Sequence, residues 1–291
     1  MSSSWLRLAK RIAIISVEVV AGVAVTAVIA IFAISQWQLS ARHGAGEPPL
    51  RVKPAASMVV EGARLARTNG CSGCHAEGLT GHLFVDSFFI GRLAGPNLTR
   101  IVPNYSDQQI ADLIRSGVRP DGTGIVFMPS HVLVRLADGD VAAIIAYLRT
   151  LKTKPDTAKD SSFGLLARAL VVAGMIPLEP DTVDRKQLGP LKRPTDAAAL
   201  GPYLAKTTCA MCHGGDLHGE AQTQSPNLFE MVPAYSLADF RTLLSTGIAP
   251  GGRKLGLMTE MSVAGLKYLR DDEMVALHSY LSAGEHPSPL R

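Results

Sequence analysis

Cysteine and aromatic residues are both scarce in this sequence. Its 291 residues include four Cys, and Phe, Trp and Tyr together make up 5%. The four Cys fall in two pairs with two residues between the members of each, so no thiol is left outside the pairs for a disulfide framework. So few aromatics make a thin core for side chains alone. Charge of one sign is lacking too: of the net +4, three charges come from Arg7, Lys10 and Arg11. Residues 58–151 carry eight basic and eight acidic side chains, and residues 195–291 seven basic and ten acidic. No basic stripe offers itself to nucleic acid.

The two pairs read Cys71-Ser72-Gly73-Cys74-His75 and Cys209-Ala210-Met211-Cys212-His213. Cys-x-x-Cys-His is the attachment pattern of a c-type haem. Two thiols a helical turn apart each add to a vinyl group, and the next His becomes the proximal iron ligand. A zinc ion held by four thiolates is the competing use of two such pairs, but it leaves both His without a role. Two covalent haems, one at Cys71, Cys74 and His75 and one at Cys209, Cys212 and His213, are therefore expected. Each would supply the large apolar centre that the composition lacks.

Residues 12–34 are an apolar run of 23 with a single charge, Glu18. At about 1.5 Å per residue they span about 35 Å, enough for a hydrocarbon core of about 30 Å. That is longer than the roughly 7–15 residues of a secretory h-region, so residues 1–37 read as an uncleaved anchor, with a cleaved signal peptide as the alternative. The cations ahead of it hold the N-terminus in the cytoplasm and place the rest on the outer, periplasmic side of the inner membrane; Trp5 and Trp37 flank the span. Glu18 either reaches the headgroups or contacts another membrane subunit.

Residues 38–57, with Gly44, Gly46, Pro48, Pro49 and Pro54, form a tether that lets the next domain hug the membrane or swing from it. A first domain, 58–151, opens on a helical pattern leading to Gly70. Its second helix starts with a capping box, Ser106 and Gln109, and ends at Gly117; its last starts near Asp138. The second domain, 195–291, repeats this plan. Tyr235-Ser236 opens a helix that ends at Gly247, Asp271 matches Asp138, and Tyr280-Leu281 matches Tyr147-Leu148, an internal duplication at about 135 residues. The connector, 152–194, contains an apolar insert, Phe163–Leu178, too short to span a bilayer; it is either a helix packed on the lobes or a dip into the membrane surface.

Each iron also needs a sixth ligand or an open site. Met128 precedes Asp138 by ten residues and Met261 precedes Asp271 by ten, so these two are the expected distal thioethers, with Met258 as the competitor in the second copy. Pro96 and Pro226 sit in Pro-Asn-Leu loops after each haem motif, where a rigid carbonyl can accept the Nδ1–H of the proximal His. His82 and His218 occupy different alignment columns and read as exposed loop residues.

Cys-x-x-Cys-His, a Pro-Asn-Leu loop, a distal Met and a closing helix ending in Tyr-Leu resemble class I cytochrome c, twice over, across residues 58–151 and 195–286. The resemblance implies an all-α chain of two tandem class I cytochrome c domains after an N-terminal transmembrane helix. It implies two covalently bound haem c and one-electron transfer rather than catalysis. The partners it implies are the membrane and redox proteins of a respiratory or photosynthetic chain, or the dehydrogenase or oxidase complex of which such a protein is a fixed subunit. A dihaem peroxidase is the enzymatic rival, and it needs an iron that can open to peroxide. In the second copy Ser262 stands where the first has Pro129.

Overall fold

The computed structural model describes residues 3–46, 48–184, 188–221 and 223–284. Residues 1–2 of the expected anchor and 285–291 of the expected second domain lie outside the described residues.

Helix α1 runs Ser3–Leu39. An α-helix this apolar on every side has no polar face to turn to water. Its segment Arg7–Leu39 is, among the described residues, the one helix long and apolar enough to cross a membrane, and none of its most apolar stretch is buried in the protein. The chain after it does not hang free. The His43 N–H donates to the Gly122 carbonyl at 2.8 Å, and the Leu50 N–H donates to the Gln108 side chain at 2.8 Å. The tether is thus laid along the first lobe.

That lobe is built from α2 (Val59–Thr68), α3 (Cys71–His75), α4 (Leu98–Ile101), α5 (Asp107–Ser116), α6 (Ser130–Leu133) and α7 (Asp138–Arg149). The capping box at Ser106 and Gln109 is present, and Gly117 closes α5 in the left-handed region. Helix α2 crosses α7 at Gly62, where a Cβ would come within 1.8 Å of the Ala143 carbonyl oxygen. Only a bare Cα allows so close a crossing. Helix α5 is tied to α7 by Arg115, 1% exposed, whose guanidinium meets Asp138 at 2.9 Å.

One feature of this lobe is not helical. Strands β1 (His82–Ser87) and β2 (Gly91–Gly95) form an antiparallel hairpin, and Phe84 and Val85 of β1 suit extended backbone. His82 therefore lies on a strand rather than in a loop, although it is exposed as expected. The connector adds β3 (Ser162–Phe163) to β2 and continues into α8 (Leu165–Val172) and α9 (Glu179–Thr182). The apolar insert does form a helix, and α8 packs along α1 while its start bonds to the hairpin of the first lobe.

The second lobe repeats the plan with α10 (Ala197–Leu204), a π-helical turn (Ala205–Cys209), α11 (Ala210–His213), α12 (Leu228–Met231), α13 (Leu237–Thr246), a two-residue hairpin of β4 (Ile248–Ala249) and β5 (Arg253–Lys254), α14 (Leu257–Ala264) and α15 (Asp271–Ser282). Helix α10 crosses α15 at Gly201, where a Cβ would meet the Ala276 carbonyl oxygen at 2.3 Å. Gly247 caps α13 as Gly117 caps α5. Arg241 bonds to Asp271 at 2.6 Å, so each closing helix begins on an Asp–Arg pair.

The lobes meet across a buried polar cluster. Glu273, 0% exposed, receives Arg64 of the first lobe at 2.7 Å, Arg193 of the connector at 2.6 Å and Arg270 at 3.0 Å. Arg193 also reaches Asp140 at 2.7 Å, and the Tyr203 hydroxyl donates to Asp140 at 2.6 Å while accepting from the Ala137 N–H at 3.1 Å. Burial works against the Arg193 charge, but Asp140, Tyr203 and Glu273 together outweigh it and raise its pKa. Burial beside Asp140 raises the Tyr203 pKa and keeps the phenol neutral.

Candidate functional site

In each lobe the two Cys and the His share one short helix. Helix α3 carries Cys71, Cys74 and His75, and the π turn and α11 carry Cys209, Cys212 and His213. The entries differ. In the first lobe Gly70, at φ +80°, breaks the chain between α2 and α3, whereas in the second the helix winds without interruption from α10 through the π turn. Burial pushes the Cys71 and Cys209 thiols up to about 12, so they stay protonated and uncharged in the folded chain.

Both His have the same partner. Nδ1 of His75 lies 2.8 Å from the Pro96 carbonyl oxygen, and Nδ1 of His213 lies 2.9 Å from that of Pro226. A carbonyl can only accept, so Nδ1 carries the proton and Nε2 keeps its lone pair for a metal. Burial lowers both imidazole pKa values, which favours the neutral form a metal binds.

The carbonyl is held by its own loop. Asn97 accepts the Thr99 N–H at 3.0 Å and Asn227 the Phe229 N–H at 2.9 Å, capping α4 and α12 directly after each Pro. The Leu98 N–H donates to Leu79 and the Leu228 N–H to Leu217, both at 2.9 Å. Leu79 and Leu217 are buried at φ +56° and +71°, a left-handed conformation that L residues other than Gly, Asn and Asp rarely adopt. Sequence reasoning missed these two residues, because nothing in a Leu announces positive φ. It found the Pro-Asn pairs but not their capping role. Gly95 and Ser225 hold the place before Pro by different means. A Cβ on Gly95 would fall 1.9 Å from the Cys74 carbonyl oxygen, whereas the Ser225 hydroxyl donates to the Cys212 carbonyl.

Of the methionines expected as distal ligands, Met128 packs against the first apolar core, as do Cys71 and Tyr105. In the second lobe, of the two candidates Met258 and Met261, Met258 packs against the core, as do Cys209 and Tyr235. Met261 stands one turn further along α14 and is half-buried, as Met258 is. Met128 follows Gly117 by eleven residues and Met258 follows Gly247 by eleven. Next to those caps, a Cβ on Gly117 would touch the Ser130 hydroxyl and a Cβ on Gly247 would touch Thr259. His131 faces Glu179 at 3.3 Å, His278 bonds the Tyr235 carbonyl at 2.9 Å, and His218 is exposed, so the structure brings none of these to the Cys-His helices.

The two sites are close together. Met211, inside the second motif, packs against both cores, and its sulfur lies 3.8 Å from where a Cβ on Gly70 would be, one residue before Cys71. Helix α14 of the second lobe also packs on α3 of the first.

Two helical lobes, each with a Cys-x-x-Cys-His helix whose His is oriented by a Pro carbonyl, define a haem-binding electron-transfer protein. The cytochrome c family profile matches residues 59–152 and 198–285, and the chain belongs to that family. It is an electron-transfer protein that carries covalently bound haem c. It is 26% identical over 275 residues to the fructose dehydrogenase cytochrome subunit of Gluconobacter japonicus, an alignment covering 80% of this chain and 54% of that protein. The chain thus spans about half the length of the curated relative it matches.

Proposed function

We propose that this chain is a membrane-anchored dihaem cytochrome c that works as the electron-transfer subunit of a dehydrogenase complex on the outer face of the inner membrane. One haem would be held by Cys71, Cys74 and His75, the other by Cys209, Cys212 and His213. A bound haem supplies an iron that gains and loses one electron. The chain's own residues hold each of these imidazoles in one tautomer, and a methionine would supply a thioether as a further ligand. Met128 would do so in the first lobe. In the second, packing and the eleven-residue interval from the helix cap favour Met258 over Met261, because the second lobe carries three more residues than the first between that methionine and its closing helix.

The observation that carries this reading is the repeated bond from the His Nδ1 to the Pro carbonyl, since it prepares Nε2 as a metal ligand in both lobes. The subunit role rests on the likeness to the fructose dehydrogenase cytochrome subunit, and α1 supplies the anchor. Purified protein should give two c-type haems per chain by its alkaline pyridine spectrum, and Cys209→Ser with Cys212→Ser should give one. One haem per unmodified chain would overturn the pairing. Isolation of the native membrane complex without crosslinker should bring a dehydrogenase with it; a chain recovered alone would return it to the role of free carrier.

A further inference from the structure

The β1–β2 hairpin and α8 together expose an apolar surface that neither haem lobe uses. Phe88 at the hairpin tip is 92% exposed and Phe89 65%; on α8 and just after it, Leu166 is 47% exposed and Met175 71%. Two backbone bonds of 2.9 Å join hairpin and helix: the Leu166 N–H donates to the Phe89 carbonyl and the Gly164 N–H to that of Ile90. The aromatic tip and the helix therefore move as one piece.

That piece is fastened to the outer end of α1. Arg168 of α8 donates to the Ser35 hydroxyl at 2.9 Å and to the Gln36 side chain at 3.3 Å, and its guanidinium lies 4.8 Å from the centre of the Phe32 ring. These contacts fall where the apolar run, 12–34, gives way to polar residues. Ala167 and Val171 of α8 are buried, whereas Leu165 and Leu166 look outward. If α1 crosses a bilayer, the headgroup layer must begin at Ser35 and Gln36, and a patch joined to them through one helix of about 10 Å diameter stands at that same level. Apolar side chains at this depth gain by leaving water, while an Arg at the boundary keeps its charge among headgroups.

We propose that Phe88, Phe89, Leu166 and Met175 insert into the outer leaflet beside α1, giving the first lobe a second, monotopic hold on the lipid surface. The proposal rests on the reading of α1 as a membrane span. With one hold the lobe could rotate about the tether; with two, it presents a fixed face to its redox partner.

Once haem has consumed the four native cysteines, Phe88→Cys offers a single site for a nitroxide label in the full-length protein. In phosphatidylcholine proteoliposomes this label should be relaxed more by dissolved oxygen than by a water-soluble nickel chelate, whereas one at Lys267→Cys in the second lobe should show the reverse. A third label, at Val23→Cys, reports the span itself. Val23 in lipid with Phe88 in water would overturn the proposal and leave the anchor standing; Val23 in water would remove the anchor reading and the proposal with it. Phe88 in water in liposomes but shielded in native membranes would make the patch a protein interface, and would overturn the proposal as well.

Discussion

The imidazoles of His75 and His213 show how little freedom the fold leaves to single residues. A His free to rotate would offer either nitrogen to a metal, and one bond to a Pro carbonyl settles which. The proposed distal ligands can be tested by setting the two lobes against each other. Met128→Ala should abolish the sulfur-to-iron absorption band of one haem and lower that haem's potential, since a thioether favours ferrous iron. Met258→Ala should do the same to the other haem, and Met261→Ala should leave both spectra nearly unchanged. Optical redox titration of the three variants checks this, and a band lost with Met261→Ala but kept with Met258→Ala would give the role to Met261.

At the scale of elements, each lobe is closed by one helix crossing, and each crossing turns on a glycine. Gly62 lies against the Ala143 backbone and Gly201 against that of Ala276. A carbonyl in a regular helix cannot swing aside as a side chain can, so adding a methyl must push the helices apart. Overpacking of this kind costs about 1–3 kcal/mol. Gly62→Ala and Gly201→Ala should each lower stability by about that amount in chemical denaturation, although Ala favours helix over Gly by roughly 1 kcal/mol on an exposed face. Stabilisation in either variant would mean that the crossing has slack.

The whole molecule is held by charge buried between the lobes. Removing one partner of a buried ion pair costs about 3–5 kcal/mol, because the remaining charge is left without compensation. Glu273→Ala leaves Arg64 only the Glu61 carboxylate and Arg193 only that of Asp140, removes the carboxylate that joins them across the lobes, and should split thermal unfolding into two calorimetric transitions, one per lobe, where the parent shows one. Acid should loosen the same seam. Glu61 bonds to Arg64 at 2.6 Å and to Arg270 at 3.1 Å, and the Arg64 hydrogen bond holds its pKa down to about 2 from an ordinary 4.5. A depressed carboxylate contributes its stabilisation fully above the unfolded value and loses it as pH falls through the folded one. Thermal stability should therefore decline between about pH 4.5 and 2, and Glu61→Gln should flatten part of that slope. An identical slope in the variant would show that other carboxylates govern it.

Both Cys-x-x-Cys-His motifs, the apolar run, the Pro-Asn loops, the helix caps at Ser106, Gly117 and Gly247 and the duplication itself were legible in the sequence, because each is a local pattern whose chemistry depends on neighbours a few residues away. Tertiary structure decided everything that depends on distant approach. The bare Cα of Gly62 and Gly201 matters only because another helix arrives there, and nothing near Leu79 or Leu217 forecasts positive φ. The intervals around the second methionine pull two ways: counting back from Asp271 selects Met261, counting forward from Gly247 selects Met258, and only packing can favour one over the other. Arg64, Arg193 and Glu273 are more than 70 residues apart or in different lobes, and as charged residues in a string they read as solvated surface. Their burial, the docking of α8 on α1 and the nearness of the two haem motifs arise when the lobes close, because a contact between elements is fixed by the shape of both faces and not by the sequence of either.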